Sequence, residues 1–142
     1  MSDFFPKRIL TTGELSIAFE AFFQLLLQRF KVSFLPSRKY LPSTSKNSSI
    51  FLKPEKLEIA KKIANVTTGL STRTPWSSTC LVKVLATHKM LRKRKIPHTI
   101  HIGINTNLSN GFNAHAWLSV TDEVIIGGEN LNSFKEISRI SI

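Results

Sequence analysis

The spacing of apolar and polar positions changes its period once along the chain. From Leu15 to Phe30 the residues are strongly apolar, interrupted on one side by Glu20, Gln24 and Gln28 at every fourth position. That spacing predicts a helix with one narrow polar stripe. Thr11 and Glu14 stand at capping-box distance before it. Core packing is the preferred reading of so apolar a helix; docking on another protein or on a bilayer face is the alternative. The longest uncharged run, between Glu20 and Arg29, is too short for the roughly 20 residues of a membrane span. Glu20 also sits where a signal peptide needs an unbroken apolar segment.

An irregular stretch follows from Ser33 to Ser49, marked by Pro36, Pro42 and the polar run from Ser43. A second helix is expected from Glu55 to about Asn65, with Leu57, Ala60, Ile63 and Ala64 on one face. The segment Thr72 to Ser78 breaks the pattern. A third helix then runs from about Ser78 to Arg92, carrying Leu81, Val84, Leu85 and His88 inward and stopping before Pro97. Beyond it the period falls to two. Ile100, Ile102 and Ile104 share one strand face with His101 opposite, and Asn105 to Gly111 reads as a loop. Phe112 to Val120 alternates again, with Ala114, Ala116, Leu118 and Val120 inward and Asn113, His115, Trp117 and Ser119 opposite. Thr121 and Asp122 turn the chain into Glu123–Ile126, which Gly127 and Gly128 end. Helices first and consecutive antiparallel strands afterwards define an α+β plan in a single domain spanning 1–142.

Composition adds two constraints. Twenty Lys and Arg against nine Asp and Glu give a net charge of +11, spread over both halves of the chain. Such a chain attracts anionic partners. The densest run, Arg92 to Lys95, lies where the third helix ends, so complementation of the helix dipole accounts for part of it. No RNA-recognition signature accompanies the charge, and nucleic acid is not an expected partner. The lone cysteine excludes an intrachain disulfide and a zinc site built on two thiolates, and points to a reducing compartment, the cytoplasm. His98 and His101 fit His-x-x-His, but a strand places them on opposite faces, so no metal site is expected.

The lone cysteine is also the chemical lead. Cys80 falls in the first turn of the third helix, where unpaired backbone amides favour a thiolate. His115 lies on the strand face opposite the aliphatic one. A cysteine at a helix start with a histidine on a strand is the nucleophile–base arrangement of cysteine hydrolases and acyltransferases. A small buried hydrophobe and an interface histidine are the plain alternatives. Trp76 reads first as a large core side chain, and functionally as an indole donor near a developing oxyanion. Trp117 reads as packing against the His115 face.

The flanks make the pair specific. Arg73-x-Pro75-Trp76-x-x-x-Cys80-Leu81, then Ile102-Gly103-Ile104, then Phe112-x-Ala114-His115-Ala116-Trp117-Leu118 resembles the leader peptidases of lasso-peptide biosynthesis. The likeness is to their stand-alone form. These are transglutaminase-like, papain-type cysteine proteases. The resemblance implies residues 51–142 as the catalytic core, with 1–50 a helical extension and linker. It also implies Cys80 as nucleophile and His115 as base, with no cofactor. The substrate would be a precursor peptide, and the partners a separate PqqD-like leader-recognition protein and an asparagine-synthetase-like lasso cyclase. The family's third residue, an Asp about a dozen positions beyond the His, falls here on Gly127. Strand parity then makes Glu129 the candidate orienter of the imidazole, with Asn113 or a backbone carbonyl as alternatives. Two other readings stay open: a transglutaminase-like acyltransferase, and a catalytically silent basic binding module.

Overall fold

The computed structural model describes residues 12–44, 51–105, 109, 111 and 113–142. Four helices precede the sheet: α1 (Thr12–Phe34), the single turn α2 (Ser37–Tyr40), α3 (Pro54–Ser71) and α4 (Cys80–Lys93). Strands β1 (Thr99–Asn105), β2 (Ala114–Val120), β3 (Glu123–Ile126) and β4 (Phe134–Ser141) form one antiparallel sheet in the order β3-β2-β1-β4. The α+β plan therefore holds. Thr11, the polar run 45–49, most of the Asn-rich loop and Phe112 lie outside the described residues.

Two helix boundaries differ from expectation, the single turn α2 falls in the stretch read as irregular, and one strand was not expected. The first helix continues through Lys31-Val32-Ser33-Phe34, because Val32 still finds apolar partners, and stops before Pro36. Helix α3 continues to Ser71 despite Val66, Thr67, Thr68 and Gly69, residues of modest helix propensity. Thr67 is buried and Val66 and Leu70 pack on the core, so tertiary contact overrides propensity. The strand β4 has no counterpart in the sequence reading. It pairs with β1 from Thr99↔Ser141 to Asn105↔Phe134, with an irregularity at Ile102/Gly103, and turns β1 into an interior strand.

The main core lies between α3, α4 and one sheet face. Ala60, Ile63 and Ala64 meet Val84, Met90 and Leu91, and all of these meet Ile100, Ala116, Leu118, Val120, Ile126 and Ile140. Helix α1 adds Ala21 to this core. It also adds Leu25 to a second cluster with Val82 and Ala86 on the far side of α4. Inward alternation on β2 is as the sequence predicts from Ala116 onward; Ala114, at the strand's start, is exposed.

Orientation of α1 is the main correction to the helical reading. Its polar stripe, not its apolar ridge, faces the protein. Gln28 is buried and bonded to Gln24 at 3.1 Å. Glu20 accepts from both terminal nitrogens of the Arg94 guanidinium, Nη2 at 2.7 Å and Nη1 at 3.2 Å. Part of the basic run after α4 is thus an interhelical clamp rather than solvated surface.

Candidate active site

Cys80 is the first residue of α4. Thr79 caps the helix with its side chain, accepting from the Val82 amide at 3.4 Å, and Cys80 is half-buried against the core. A helix start leaves its first amides outside the intrahelical ladder, and Cys80 occupies the first position of α4. The approach segment is fastened by Thr74. Its hydroxyl lies 3.1 Å from the carbonyls of both Ser71 and Trp76, and 3.4 Å from the Ser78 hydroxyl. The sequence reading had no role for Thr74.

His115 is the second residue of β2, half-buried on the sheet face that looks away from the core. Its Nε2 lies 2.7 Å from the carbonyl oxygen of Gly127. A carbonyl only accepts, so Nε2 carries the proton and the neutral ring keeps its lone pair on Nδ1. Gly127, at the position of the family's acid, holds the imidazole with its backbone. Its φ of +76° is a conformation open mainly to glycine, and an added Cβ would sit 2.6 Å from the Ala116 carbonyl. Glu129 is exposed in the turn after β3, and no hydrogen bond joins it to His115 among the described residues. Asn113 is also exposed, just before β2.

The His115 ring stands in a row of four. Phe134 of β4 stacks on it at 4.8 Å between centroids, Trp117 at 6.0 Å, and His101 stacks on Trp117 at 5.4 Å with planes only 3° apart. The row crosses β1 at Gly103, where a Cβ would meet the indole at 2.9 Å and the Lys135 carbonyl at 3.0 Å. His101 ends the row in a polar chain. Its Nε2 is 2.8 Å from the Ser119 hydroxyl, and its Nδ1 faces Glu136 at 3.3 Å. Glu136 is held in turn by Arg139 at 2.8 Å, which keeps its carboxyl below the ordinary range. Trp117 is thus packing against the His115 face, as its position predicted. Phe134 and His101 are the members that strand alternation alone did not bring to the site.

Trp76 lies on the other side of α4. Its ring meets Phe22 at 5.5 Å and packs on the cluster of Leu25, Val82 and Ala86. Its indole N–H is buried without a partner among the described residues.

Helix α4 and strand β2 pack together, but Cys80 lies against the core and His115 is on the opposite face of the sheet, so the structure does not bring the two side chains into contact. No hydrogen bond joins the sulfur to the ring among the described residues. A cleft of about 300 Å³ runs alongside, lined by Asn65 and Thr68 of α3, Lys83 of α4 and residues 124–129. Neither Cys80 nor His115 lines it; its nearest links to them are Lys83, one turn along α4 from Cys80, and Gly127, whose carbonyl accepts from His115. Among the described residues no cluster could hold a metal ion. His98 instead pairs with His88, Nε2 to Nδ1 at 2.8 Å in the core.

No helix among the described residues is long and apolar enough to cross a membrane. No curated protein and no solved structure matches the chain. The transglutaminase-like superfamily model does match it, over residues 25–139, from the middle of α1 to the end of β4. That span covers well over half of the sequence and contains Cys80, His115 and Gly127, so the chain belongs to the transglutaminase-like superfamily, which includes cysteine proteases and acyltransferases.

Proposed function

We propose that this chain is a cysteine peptidase that removes the leader from a ribosomally made lasso-peptide precursor. The observation that carries the catalytic part is the His115–Gly127 bond. By fixing the proton on Nε2, it leaves Nδ1 as the basic nitrogen available to a thiol. The leader-peptidase part rests on the likeness of the Pro75-Trp76…Cys80 and Ala114-His115-Ala116-Trp117 segments to that family.

In this reading Nδ1 of His115 takes the Cys80 proton and the sulfur attacks the last carbonyl of the leader. Amides at the start of α4 stabilise the oxyanion. Collapse breaks the C–N bond, and the core-peptide amine leaves with the proton from His115. Water, deprotonated by the same nitrogen, then opens the thioester to the leader acid and restores the thiol. Every step uses side chains, backbone amides and water.

An extended peptide loses backbone entropy at each residue that a site fixes, on the order of 1–2 kcal/mol. That is a physical reason for a separate PqqD-like protein to deliver the leader. An asparagine-synthetase-like cyclase would consume the released core, and the cytoplasm is the expected setting.

The test is cleavage of the precursor, followed by mass spectrometry with the leader-binding protein present. Cys80→Ala should keep the fold and lose leader removal. Cleavage by that variant at the wild-type rate would end the reading. A product carrying an added amine in place of water would assign the chain to the acyltransferases of its superfamily.

A further inference from the structure

The outer face of α1 carries an uninterrupted apolar ridge. Leu15, Phe19, Phe22, Phe23, Leu26, Phe30 and Phe34 are each between 42% and 77% exposed. They recur at three- and four-residue steps over about 28 Å of helix. At about 200 Å² for a large side chain, the ridge exposes on the order of 800 Å². The largest apolar patch on an ordinary monomer is about 300–600 Å². The ridge is convex, and five of its seven members are phenylalanine.

Its flanks are basic. From Ala21 to Pro54 the sequence has six Lys and Arg and no acid. Arg29 borders the ridge on one side. On the other, Lys31 stands near Lys89 of α4, which is also near Arg92; no acid pairs with these three among the described residues. Burial, together with the charges of Lys31 and Arg92, holds Lys89 below the ordinary lysine range, as expected of like charges that lack a counter-ion. Arg38 and Lys39 continue the basic border on α2.

We infer that α1 is an interfacial docking helix that lays its phenylalanine ridge into the surface of an anionic lipid bilayer, with Arg29, Lys31, Lys89 and Arg92 at headgroup level. A convex apolar strip between two cationic borders is what such a surface accepts, since acyl chains mould to a ridge and anionic headgroups supply the missing counter-charge. A second copy is a poorer occupant. Each chain carries +11, and pairing ridge to ridge would bring the basic borders together. The inference is independent of the proposed peptidase activity, and its test contains no cleavage step.

The test is co-flotation of the full chain with phosphatidylcholine vesicles, with and without phosphatidylglycerol. Binding should be at least about tenfold tighter to the anionic vesicles and should weaken with added salt. Phe19→Ser with Phe30→Ser, both at exposed sites, should lose at least about tenfold with an unchanged circular-dichroism spectrum. Lys31→Gln with Lys89→Gln and Arg92→Gln should lose the preference for phosphatidylglycerol. This second variant keeps the question answerable if the first misfolds. Absence of binding to either vesicle would overturn the inference. So would anionic binding that survives the Phe substitutions, or a dimer in light scattering that those substitutions dissolve.

Discussion

His115 donates its Nε2 proton to the carbonyl oxygen of Gly127 across 2.7 Å. A backbone group therefore does the orienting that an acid does elsewhere in triads, and it does so without a full charge. The strand pairing of β2 with β3 fixes where that carbonyl lies, through Leu118↔Ile126 next to Gly127.

The first expected outcome follows from that bond. Glu129→Gln should leave single-turnover cleavage within about twofold of wild type, less than about 0.5 kcal/mol in the barrier. Gly127→Ala should lower both rate and stability, the latter by more than about 1 kcal/mol. The new Cβ would overlap the Ala116 carbonyl, and φ is +76°. Nitrogen–proton correlation NMR of the imidazole should report His115 as the Nε2–H tautomer in wild type. A Glu129→Gln rate reduced a hundredfold would return the orienting role to the carboxylate.

A second outcome concerns the ring row. Gly103→Ala pushes the Trp117 indole, which stacks at 6.0 Å on His115, while the Lys135 carbonyl blocks retreat on the other side. Thermal unfolding should show a loss of about 1–3 kcal/mol, the usual range for overpacking. The variant's kcat should fall more than its KM rises, because the imidazole is displaced and not the cleft lined by residues 124–129. A stable Gly103→Ala enzyme with wild-type kcat would mean that the row is packing alone.

How much of this was legible in the sequence depends on the range of the signal. The Cys80 helix start and the His115 strand face are local patterns, read from capping and from alternation over a few residues. The strand β4 was not legible. Its apolar residues Phe134, Ile137 and Ile140 recur every third position, matching neither a strand nor a helix face. With β4 unread, Phe134 could not be placed on His115, nor Glu136 beside His101. Side-chain reasoning also looks for an acid at the third site, where the molecule uses a main-chain carbonyl. For α1, a helix apolar all round but for one narrow stripe gives the pattern no means of choosing which part packs. The choice is made by Arg94, 74 residues away, which meets Glu20.

That clamp gives a third outcome. Glu20 and Arg94 are joined by two hydrogen bonds, with side chains only 17% and 27% exposed, and the arginine also reaches the Met90 carbonyl at 3.0 Å. A double-mutant cycle on Glu20→Gln and Arg94→Met, read by urea unfolding, should give a coupling of about 1–2 kcal/mol. That lies above the range of a typical exposed pair. A coupling under about 0.3 kcal/mol would make Glu20–Arg94 an ordinary surface ion pair.

The last outcome is a pH dependence set by the core histidines. His98 Nδ1 lies 2.8 Å from the Ile96 carbonyl and so carries the proton, which leaves its Nε2 to accept from His88 Nδ1. Both rings are then neutral, and His88 Nε2 is a buried lone pair without a partner among the described residues. Burial, followed by repulsion from His98 were it also protonated and from the charges of Lys89 and Arg92, pushes His88 down from 6.5 to about 3, and burial also lowers His98. In the unfolded chain each imidazole binds a proton below about 6.5, whereas the native pair does not. Protonation therefore favours unfolding. The stabilising effect of the neutral His88 is complete above pH 6.5 and is lost as pH falls from there toward 3, at up to about 1.4 kcal/mol per unit, and His98 acts in the same direction. Between pH 7 and 4.5 the stability measured by urea unfolding should drop by on the order of 2–3 kcal/mol for His88 alone. This window lies above the one in which Glu20, whose pKa is lowered chiefly by Arg94, begins to lose its contribution, below about pH 4.5. His88→Gln should flatten the slope between pH 7 and 4.5 even if it costs stability at neutral pH. An unchanged slope in that variant would place the acid sensitivity of the fold elsewhere.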